Sequence, residues 1–142
     1  MKHSILFIIF YSFLICNIDA QSYKVGQKVE GGILFIVNKK SGIVAAENIL
    51  GLMTWEEGKK ACEDLVLNGY DNWRLPTMKE LSLFYYEIYI KGLSNLPTGF
   101  YWSSKENTGI RELAWCFDFK DTGEYNGHPK SNKKCILPVR TY

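Results

Sequence analysis

Short apolar runs and two amphipathic stretches alternate along the chain beyond residue 22. Residues 33–37 read ILFIV and residues 42–46 read GIVAA, with polar NKKS between them. Two β-branched runs on either side of a polar turn predict an antiparallel hairpin. Three later runs predict further strands: FYWSS at 100–104, ELAWCFDF at 112–119 and KCILPVRTY at 134–142.

The first amphipathic stretch begins at Thr54. Thr54 and Glu57 have the spacing of a capping box, in which the two residues cap each other's backbone amides. The apolar residues that follow recur at helical spacing: Trp55, Cys62, Leu65 and Val66. Asn68 and Gly69 both tolerate the left-handed conformation common just past a helix end. The pattern predicts an amphipathic helix that stops at these two residues.

The second stretch follows the segment DNWRLP at 71–76. Pro76 keeps Leu75 out of the helical conformation, and Thr77 with Glu80 repeats the capping box. The apolar stripe of this stretch consists of Met78, Leu81, Phe84, Tyr85 and Ile88. The pattern predicts a second helix that begins after Thr77 and ends near Gly92.

The extended backbone before that helix places alternate side chains on opposite faces. Trp73 and Leu75 then share one face, and Arg74 points to the other. A buried guanidinium requires an anionic or carbonyl partner, and Glu80 lies within reach after one helical turn. Glu80 is therefore the candidate partner of Arg74.

The order of elements is strands, two helices and strands again. This order predicts an α+β domain with a mainly antiparallel sheet. Along 112–119, one face carries Trp115, Phe117 and Phe119. Pro138 cannot donate a hydrogen bond to a neighbouring strand, so the last strand is expected at an edge or with a bulge at this residue.

Residues 1–20 have the pattern of a secretory signal peptide. Lys2 precedes a mostly apolar run at 5–15, and small or polar residues follow as far as Ala20. The run is shorter than the roughly 20 residues that cross a bilayer. We therefore expect cleavage after Ala20 and a single exported domain at 21–142, located in the periplasm, at the cell surface or outside the cell.

The chain has four cysteines, of which Cys16 lies in the predicted signal peptide. Cys16 ends the segment FLIC, which loosely resembles a lipoprotein cleavage site, but the bulky Ile15 disfavours a lipid anchor. Cys62, Cys116 and Cys135 remain, and an odd number in an oxidising compartment indicates at most one internal disulfide. Cys116 and Cys135 both lie in predicted strands, so this pair is favoured over Cys62 with Cys135.

Several of these segments together resemble the Lcl C-terminal domain family, named after a collagen-like bacterial surface protein. The most specific part is NGYDNWRLPTMKEL at 68–81 followed by YWSS at 101–104. The resemblance extends from about Gly31 to Arg140 and implies a C-type-lectin-like fold, with two helices packed on mainly antiparallel strands. It also marks a structural signature: Trp55, Trp73, Arg74, Leu75, Pro76, Glu80, Tyr101, Trp102, Ser103, Ser104, Trp115 and Arg140.

The resemblance implies a role as well. Members of this family are mostly exported or surface proteins of bacteria, for which adhesion or polymer binding is the usual suggestion, and no catalytic set is known for them. We therefore expect a non-catalytic binding module for glycans or surface proteins that needs no cofactor. A structural module of a cell-surface assembly is the alternative. The chain departs from the commonest family pattern at Cys116 and Cys135.

Calcium-dependent sugar binding is one activity that a lectin-like fold suggests. Calcium needs clustered oxygen ligands, and the late half of the chain offers Asp118, Asp121 and Glu124. The same segment, DFKDTGE, fits a polar hairpin turn with Gly123 at its positive φ position. The Pro-Asn dipeptide and the Trp-Asn-Asp run of calcium lectins do not occur in the sequence. The sequence favours the turn over a metal site.

Catalysis finds little support in the sequence. His128 lies in a polar run that predicts an exposed loop, and Ser103 and Ser104 lack the glycine-framed elbow of a serine nucleophile. Zinc is disfavoured because the cysteines and His128 show no paired ligand spacing. A cysteine-dependent oxidase related to the formylglycine-generating enzymes is a second alternative, although Cys116 and Cys135 are far apart for such a pair.

Charge and aromatic content complete the picture. A formal net charge of +2 gives no electrostatic reason to expect nucleic acid as a partner. The aromatic share of 15% indicates a thick aromatic core or an adhesive surface. The four tryptophans lie in apolar or amphipathic runs and are expected in the core. Tyr86 and Tyr89 fall off the main stripe of the second helix and are the candidates for a stacking surface.

Overall fold

The structure is a computed structural model that describes residues 23–29, 31–38, 41–120, 123 and 125–142, without the side chains of residues 125 and 126. The predictions on the signal peptide, on its cleavage after Ala20 and on a lipid anchor at Cys16 fall outside these residues. Asp121 and Glu124 fall outside them as well. Among the described residues, no helix combines the length and the apolar content that a membrane span requires.

Two α-helices, a π-helical segment and nine strands make up the described chain. The helices are α1 (Trp55–Glu63) and α2 (Met78–Phe84), and the π-helical segment Tyr85–Tyr89 continues α2. The strands are β1 (Lys28–Val29), β2 (Gly32–Val37), β3 (Gly42–Ala45), β4 (Leu52–Met53), β5 (Phe100–Glu106), β6 (Leu113–Asp118), β7 (Tyr125–Pro129), β8 (Lys134–Cys135) and β9 (Val139–Thr141).

The strands form one sheet of four strands and one of five. One has the order β1-β2-β3-β9, and the other has the order β4-β8-β5-β6-β7. All pairs within them are antiparallel except β5 with β8. The predicted hairpin is confirmed, because β2 and β3 are neighbours with Val37 opposite Gly42. The predicted α+β class with two helices and mainly antiparallel strands is also confirmed.

The last part of the chain forms two strands where the sequence predicted one. β8 pairs with β4 and β5, whereas β9 pairs with β3 in the other sheet. Pro138 lies between them, and its carbonyl oxygen accepts a hydrogen bond from Ala46 N at 2.9 Å. Because proline has no amide hydrogen, the ladder breaks here and the chain crosses from one sheet to the other. The prediction of one continuous strand was wrong.

α1 begins as predicted and ends about one turn early. Thr54 and Glu57 form the capping box, but the helix stops at Glu63. Asn68 and Gly69 do adopt left-handed φ values of 53° and 83°, in a turn beyond the helix end. Val66, expected on the apolar stripe, is therefore not helical and is 69% exposed.

α2 and its π-helical continuation cover β5 and β6. Thr77 and Glu80 form the second predicted capping box. The predicted stripe is confirmed at Leu81, Phe84, Tyr85 and Ile88, which are buried, while Met78 is half-buried. Gly92 lies past the helix end with φ of 68°, as expected. Sequence spacing did not predict the π-helical turn, in which the ring of Tyr85 packs against Phe117 and Phe119.

The favoured disulfide between Cys116 and Cys135 was wrong. Cys116 lies opposite Trp102 on β5, and Cys135 lies opposite the preceding residue, Tyr101. Adjacent residues of a strand point to opposite faces, so the two thiols lie on different sides of the sheet with β5 between them. None of the three described cysteines, Cys62 included, forms a disulfide, and all three are buried.

We predict that these thiols are unreactive in the folded protein. Burial raises the pKa of Cys62 to about 12 and that of Cys116 to about 11, and it raises the pKa of Cys135 as well. Because the thiolate is the reactive form, an aromatic disulfide reagent at mildly alkaline pH should label them slowly until urea is added. Rapid labelling of two thiols without urea would contradict this expectation and support the oxidase alternative.

Candidate functional site

A groove between α2 and the sheet that contains β5 and β6 is lined by the half-buried indole of Trp115. Its volume is about 460 Å³. One wall belongs to α2 and the other to β5 and β6, where the indole of Trp115 lies next to Lys105. The lining residues are Met78, Lys79, Ser82, Leu83, Lys105 and Trp115. We call this surface the α2–Trp115 groove.

A bulge in β5 shapes the sheet wall of the groove. Trp102 lies opposite Cys116, and Glu106 lies opposite Ala114. The three residues of β5 between them, 103–105, are therefore matched on β6 by the single residue Trp115. An extra stretch of this kind bends a strand and re-aims its side chains. The bulge turns Lys105 toward the indole of Trp115, with Nζ 5.6 Å from the ring centroid.

Ser103 holds this bulge in place. Its Oγ donates to the carbonyl oxygen of Trp115 at 2.7 Å and accepts from the amide of Lys105 at 3.2 Å. Its own carbonyl oxygen accepts from Nε1 of Trp55 at 2.8 Å. Ser103 is fully buried, so water does not compete for these bonds. One signature serine thus fixes the two groove residues of the sheet.

The helix wall is fixed to the sheet through its first turn. Ser104 N donates to the carbonyl oxygen of Pro76 at 2.8 Å, which ties the start of α2 to β5. Arg74 pairs with Glu80 through two bonds of 2.8 Å, Nη1 to Oε2 and Nη2 to Oε1. The predicted partner of Arg74 is therefore confirmed. The carboxylate of Glu80 also accepts from Thr77 N at 2.8 Å.

Burial and hydrogen bonding oppose each other at Glu80. Burial raises the pKa of its carboxyl group, but hydrogen bonds from Arg74 and Thr77 outweigh this effect and hold the pKa below its usual range. Glu80 therefore stays ionised at neutral pH and keeps both bonds. Its pair with Arg74 is a support for the helix start and not a free anion receptor.

Arg140 has a structural position as well. It is 2% exposed, and its guanidinium carbon lies 3.5 Å from the ring centroid of Tyr70 and 5.5 Å from that of Trp73. A guanidinium plane over an aromatic ring is a favourable contact that persists when both are desolvated. Arg140 thereby joins β9 to the segment that leads into α2.

The groove itself is cationic. Lys79 and Lys105 are exposed, and neither forms an ion pair within the part of the chain that the structure describes. No carboxylate of the described residues lines the groove. A bound group with a negative charge would therefore meet two uncompensated ammonium groups beside an aromatic face.

The two tyrosines that the sequence nominated lie elsewhere. Tyr86 is 48% exposed, with its ring edge-on to Tyr85. Tyr89 is half-buried, and its ring centroid lies 4.9 Å from that of Phe119. Both belong to the π-helical segment and neither lines the α2–Trp115 groove. Burial raises the pKa of Tyr89, as expected for a ring packed on the core.

Of the three candidate calcium ligands, Asp118 is the one that lies within the described residues. Asp118 ends β6, and its Oδ1 accepts a hydrogen bond from Lys120 N at 2.6 Å, as in a polar turn. Asp121 and Glu124 lie outside the described residues, so the set as a whole stays a prediction. Within the described chain, no three acidic, histidine or cysteine side chains cluster in a way that could hold a metal ion.

His128 and Lys134 form a separate aromatic and basic cluster. His128 was expected in a loop, but it lies in β7 with its ring centroid 4.9 Å from that of Phe100. The prediction failed because the sequence of β7, YNGHP, contains no apolar run to recognise. Lys134 is 7% exposed, with Nζ over the rings of Phe100 and Trp102 at 4.7 and 5.2 Å. Burial lowers the pKa of Lys134.

Sequence reasoning missed most residues of the groove. Trp115 was identified as a signature residue, yet it was expected in the core with the other tryptophans, and it is half-buried. Lys79, Ser82 and Lys105 carry no local signal, because a polar residue on a helix or a strand end normally contacts water alone. Their shared position follows from the bulge and from the docking of α2.

The comparison with protein families agrees with the resemblance noted in the sequence. The solved structures that the chain is similar to include the crystal structure of the C-type lectin CEL-I from Cucumaria echinata, with 14% identity and a TM-score of 0.43 over 72% of this chain and 91% of that one. They also include an EPNH mutant of CEL-I, with 13% identity and a TM-score of 0.45 over 82% and 97%. No curated protein matches the chain. The family model of the Lcl C-terminal domain matches residues 36–140, and the chain therefore belongs to this family.

Proposed function

We propose that the protein is an exported, non-catalytic glycan-binding module and that the α2–Trp115 groove is its binding site. The observation that carries this proposal is the half-buried indole of Trp115 in a groove of about 460 Å³. The C–H face of a pyranose ring packs favourably on the negative face of an indole. A volume of this size falls within the roughly 300–1,000 Å³ that ligand sites occupy.

The charges in the groove support an acidic sugar as the ligand. Lys79 and Lys105 flank the indole, and each could contact a carboxylate or sulfate group of a ring stacked on Trp115. Ser82 adds a hydroxyl group that can bond to a sugar hydroxyl. Lysine stems are flexible, so Lys105 can move from the ring face to the edge of a bound sugar.

Export is part of the proposal on the basis of the N-terminal sequence pattern. A module that binds acidic glycans would then meet surface polymers or host glycans outside the cell, where adhesion is the expected use. Neither a metal ion nor a cofactor is required by a site built from one indole and two ammonium groups. The alternative of a structural module would place no ligand in the groove.

We predict that Trp115→Ala lowers glycan affinity at least about tenfold, because removing a central aromatic anchor typically costs 2 kcal/mol or more. The measurement is binding of the mature domain to neutral, uronate-containing and sulfated oligosaccharides, each with calcium and again with chelator. Trp115→Phe is the matched control and should retain most of the affinity, since it keeps an aromatic face.

Two results would contradict the proposed site. Binding that requires calcium and is unchanged by Trp115→Ala would move the site to the turn at Asp118. A lack of binding to every oligosaccharide would favour the structural module instead.

A further inference from the structure

A separate cavity of about 360 Å³ lies beside the loop that follows α1. It shares no lining residue with the α2–Trp115 groove. Three segments form its walls: Gly31 between β1 and β2, residues 47–50 between β3 and β4, and Leu65, Leu67 and Asn68 after α1. We call it the Glu47 pocket. Its volume falls within the roughly 300–1,000 Å³ that ligand sites occupy.

Four half-buried aliphatic side chains give the pocket an apolar lining: Ile49, Leu50, Leu65 and Leu67. The early end of α1 brings the last two to this place, because the chain beyond it no longer follows helical spacing. Leu65 and Leu67 are two residues apart and both line the pocket, whereas Val66 between them is 69% exposed. An alkyl chain among these side chains would remove apolar surface of both partners from water.

Hydrogen bonds hold two of the walls in place. Leu67 and Tyr70 exchange backbone bonds of 3.0 and 3.1 Å, which close a tight turn after α1. Nδ2 of Asn68, in that turn, donates to the carbonyl oxygen of Gly31 at 3.2 Å and so joins this wall to the segment between β1 and β2. Binding therefore does not have to order the pocket first, which reduces its entropic cost.

The polar side chains of the pocket suit a positively charged ligand. Glu47 contributes a carboxylate, and Asn48 and Asn68 contribute amide oxygens. None of the described residues that line the pocket is a lysine or an arginine, and none is aromatic. An anionic ligand would thus be repelled, and a sugar ring would find no stacking face.

The carboxylate of Glu47 has room for a second cation. Lys28, which does not line the pocket, pairs with Glu47 through Oε2. The two side chains are 70% and 41% exposed, so this is a surface pair of small energy. A carboxylate accepts several hydrogen bonds at once, so Oε1 can still accept one from a ligand.

We infer that the Glu47 pocket is a second binding site and that its ligand is a primary alkylammonium group on a short, unbranched chain. The ammonium has three N–H donors, and Glu47, Asn48 and Asn68 offer acceptors to them. The alkyl chain would lie among the four aliphatic side chains. Free alkylamines and the side chain of lysine share this chemistry. The inference does not depend on the proposed function, because the two sites have no residue in common.

Titration of the isotope-labelled domain with n-pentylamine, followed by NMR, tests the inference at neutral pH, where a primary amine is protonated. The side-chain amide resonances of Asn48 and Asn68 should shift. The affinity should rise about three- to fourfold for each CH₂ group added from propylamine to pentylamine. n-Pentanol and n-hexanoate have similar chains without a positive charge, and each should bind at least about fivefold more weakly. Equal binding of all three probes would overturn the inference.

Variants test the role of the carboxylate. Glu47→Gln should weaken pentylamine binding at least about fivefold and leave n-pentanol binding unchanged. Lys28→Gln is the matched control, because it breaks the same surface pair but keeps the carboxylate, so amine binding should be retained or strengthened. Trp115→Ala should not affect amine binding, which separates this site from the groove. Pentylamine binding that Glu47→Gln leaves unchanged would refute the inference, whatever the glycan experiments show.

Nα-acetyl-lysine amide distinguishes the two sources of the ligand. Shifts of the same resonances, with an affinity near that of pentylamine, would assign the pocket to lysine side chains of a partner protein. Binding of pentylamine alone would assign it to free alkylamines. Either result supports the alkylammonium site, and a lack of shifts with both compounds would rule it out.

Discussion

Trp102→Ala is expected to destabilise the domain by roughly 3–5 kcal/mol, a large part of the 5–15 kcal/mol that holds a typical domain folded. Trp102 is fully buried in the layer between α1 and the sheet, against Trp55, Cys62 and Cys116. Its Nε1 donates to the carbonyl oxygen of Met53 at 3.1 Å. Alanine would leave a cavity and an unpaired carbonyl group at the same place.

Urea unfolding followed by circular dichroism measures this loss. Trp115→Ala is the matched control, because it removes the same side chain from a half-buried position and should cost much less stability. The two tryptophan variants should thus separate folding from binding, with Trp102→Ala losing stability and Trp115→Ala losing glycan affinity. Equal losses of stability in both variants would contradict the assignment of Trp115 to the site.

Glu80→Ala is expected to have the second-largest effect, a loss of about 2 kcal/mol after allowing for the partial exposure of Arg74. The substitution removes the cap on Thr77 N and both bonds to Arg74. Arg74 would then keep its charge beside Leu75 with no carboxylate partner in the first turn of α2. Thermal or urea unfolding of the variant gives the size of the loss.

Glu57→Ala provides the matched control for this variant. Glu57 occupies the same place in the capping box of α1, but its carboxylate is exposed and has no arginine partner among the described residues. A clearly smaller loss is therefore expected for Glu57→Ala. Losses of the same size would mean that the cap alone, without Arg74, accounts for the effect.

The contribution of Glu80 should depend on pH in a defined direction. Its pKa in the folded protein is below the ordinary value of 4.5, so the folded state favours the ionised form. The contribution is complete above that ordinary value and is lost as the pH falls through it toward the folded pKa. The stability difference between wild type and Glu80→Gln should therefore shrink in acid. A difference that stays constant down to strongly acid pH would contradict the ion pair.

Local sequence rules predicted the elements whose signals lie within a few residues. Both capping boxes, the β2–β3 hairpin and the stripe of α2 follow from interactions between residues that are close in the sequence. The pair of Arg74 with Glu80 belongs to this group, because six residues of chain place the two side chains within reach. The helical spacing of apolar residues continues through Leu65 and Val66, but α1 ends at Glu63, so the predicted end of this helix was wrong.

Tertiary pairing decided the features that have no local signal. The split of the last strand at Pro138, the burial of Cys116 and Cys135 on opposite faces, and the strand position of His128 all depend on which strands become neighbours. Neighbour choice is set by long-range packing, and a single sequence does not encode it in any short window.

The sequence by itself determined the family, the α+β class, the capped helix starts and the signature residues that join them. The tertiary structure decided what those residues are for: Ser103, Pro76 and Ser104 fix a bulge and a helix start, and together they place Lys105 and Trp115 on one surface. The physical reason is range. Capping and periodicity act over a few residues, whereas a binding surface is made by side chains from α2, β5 and β6 that meet only after the chain has folded.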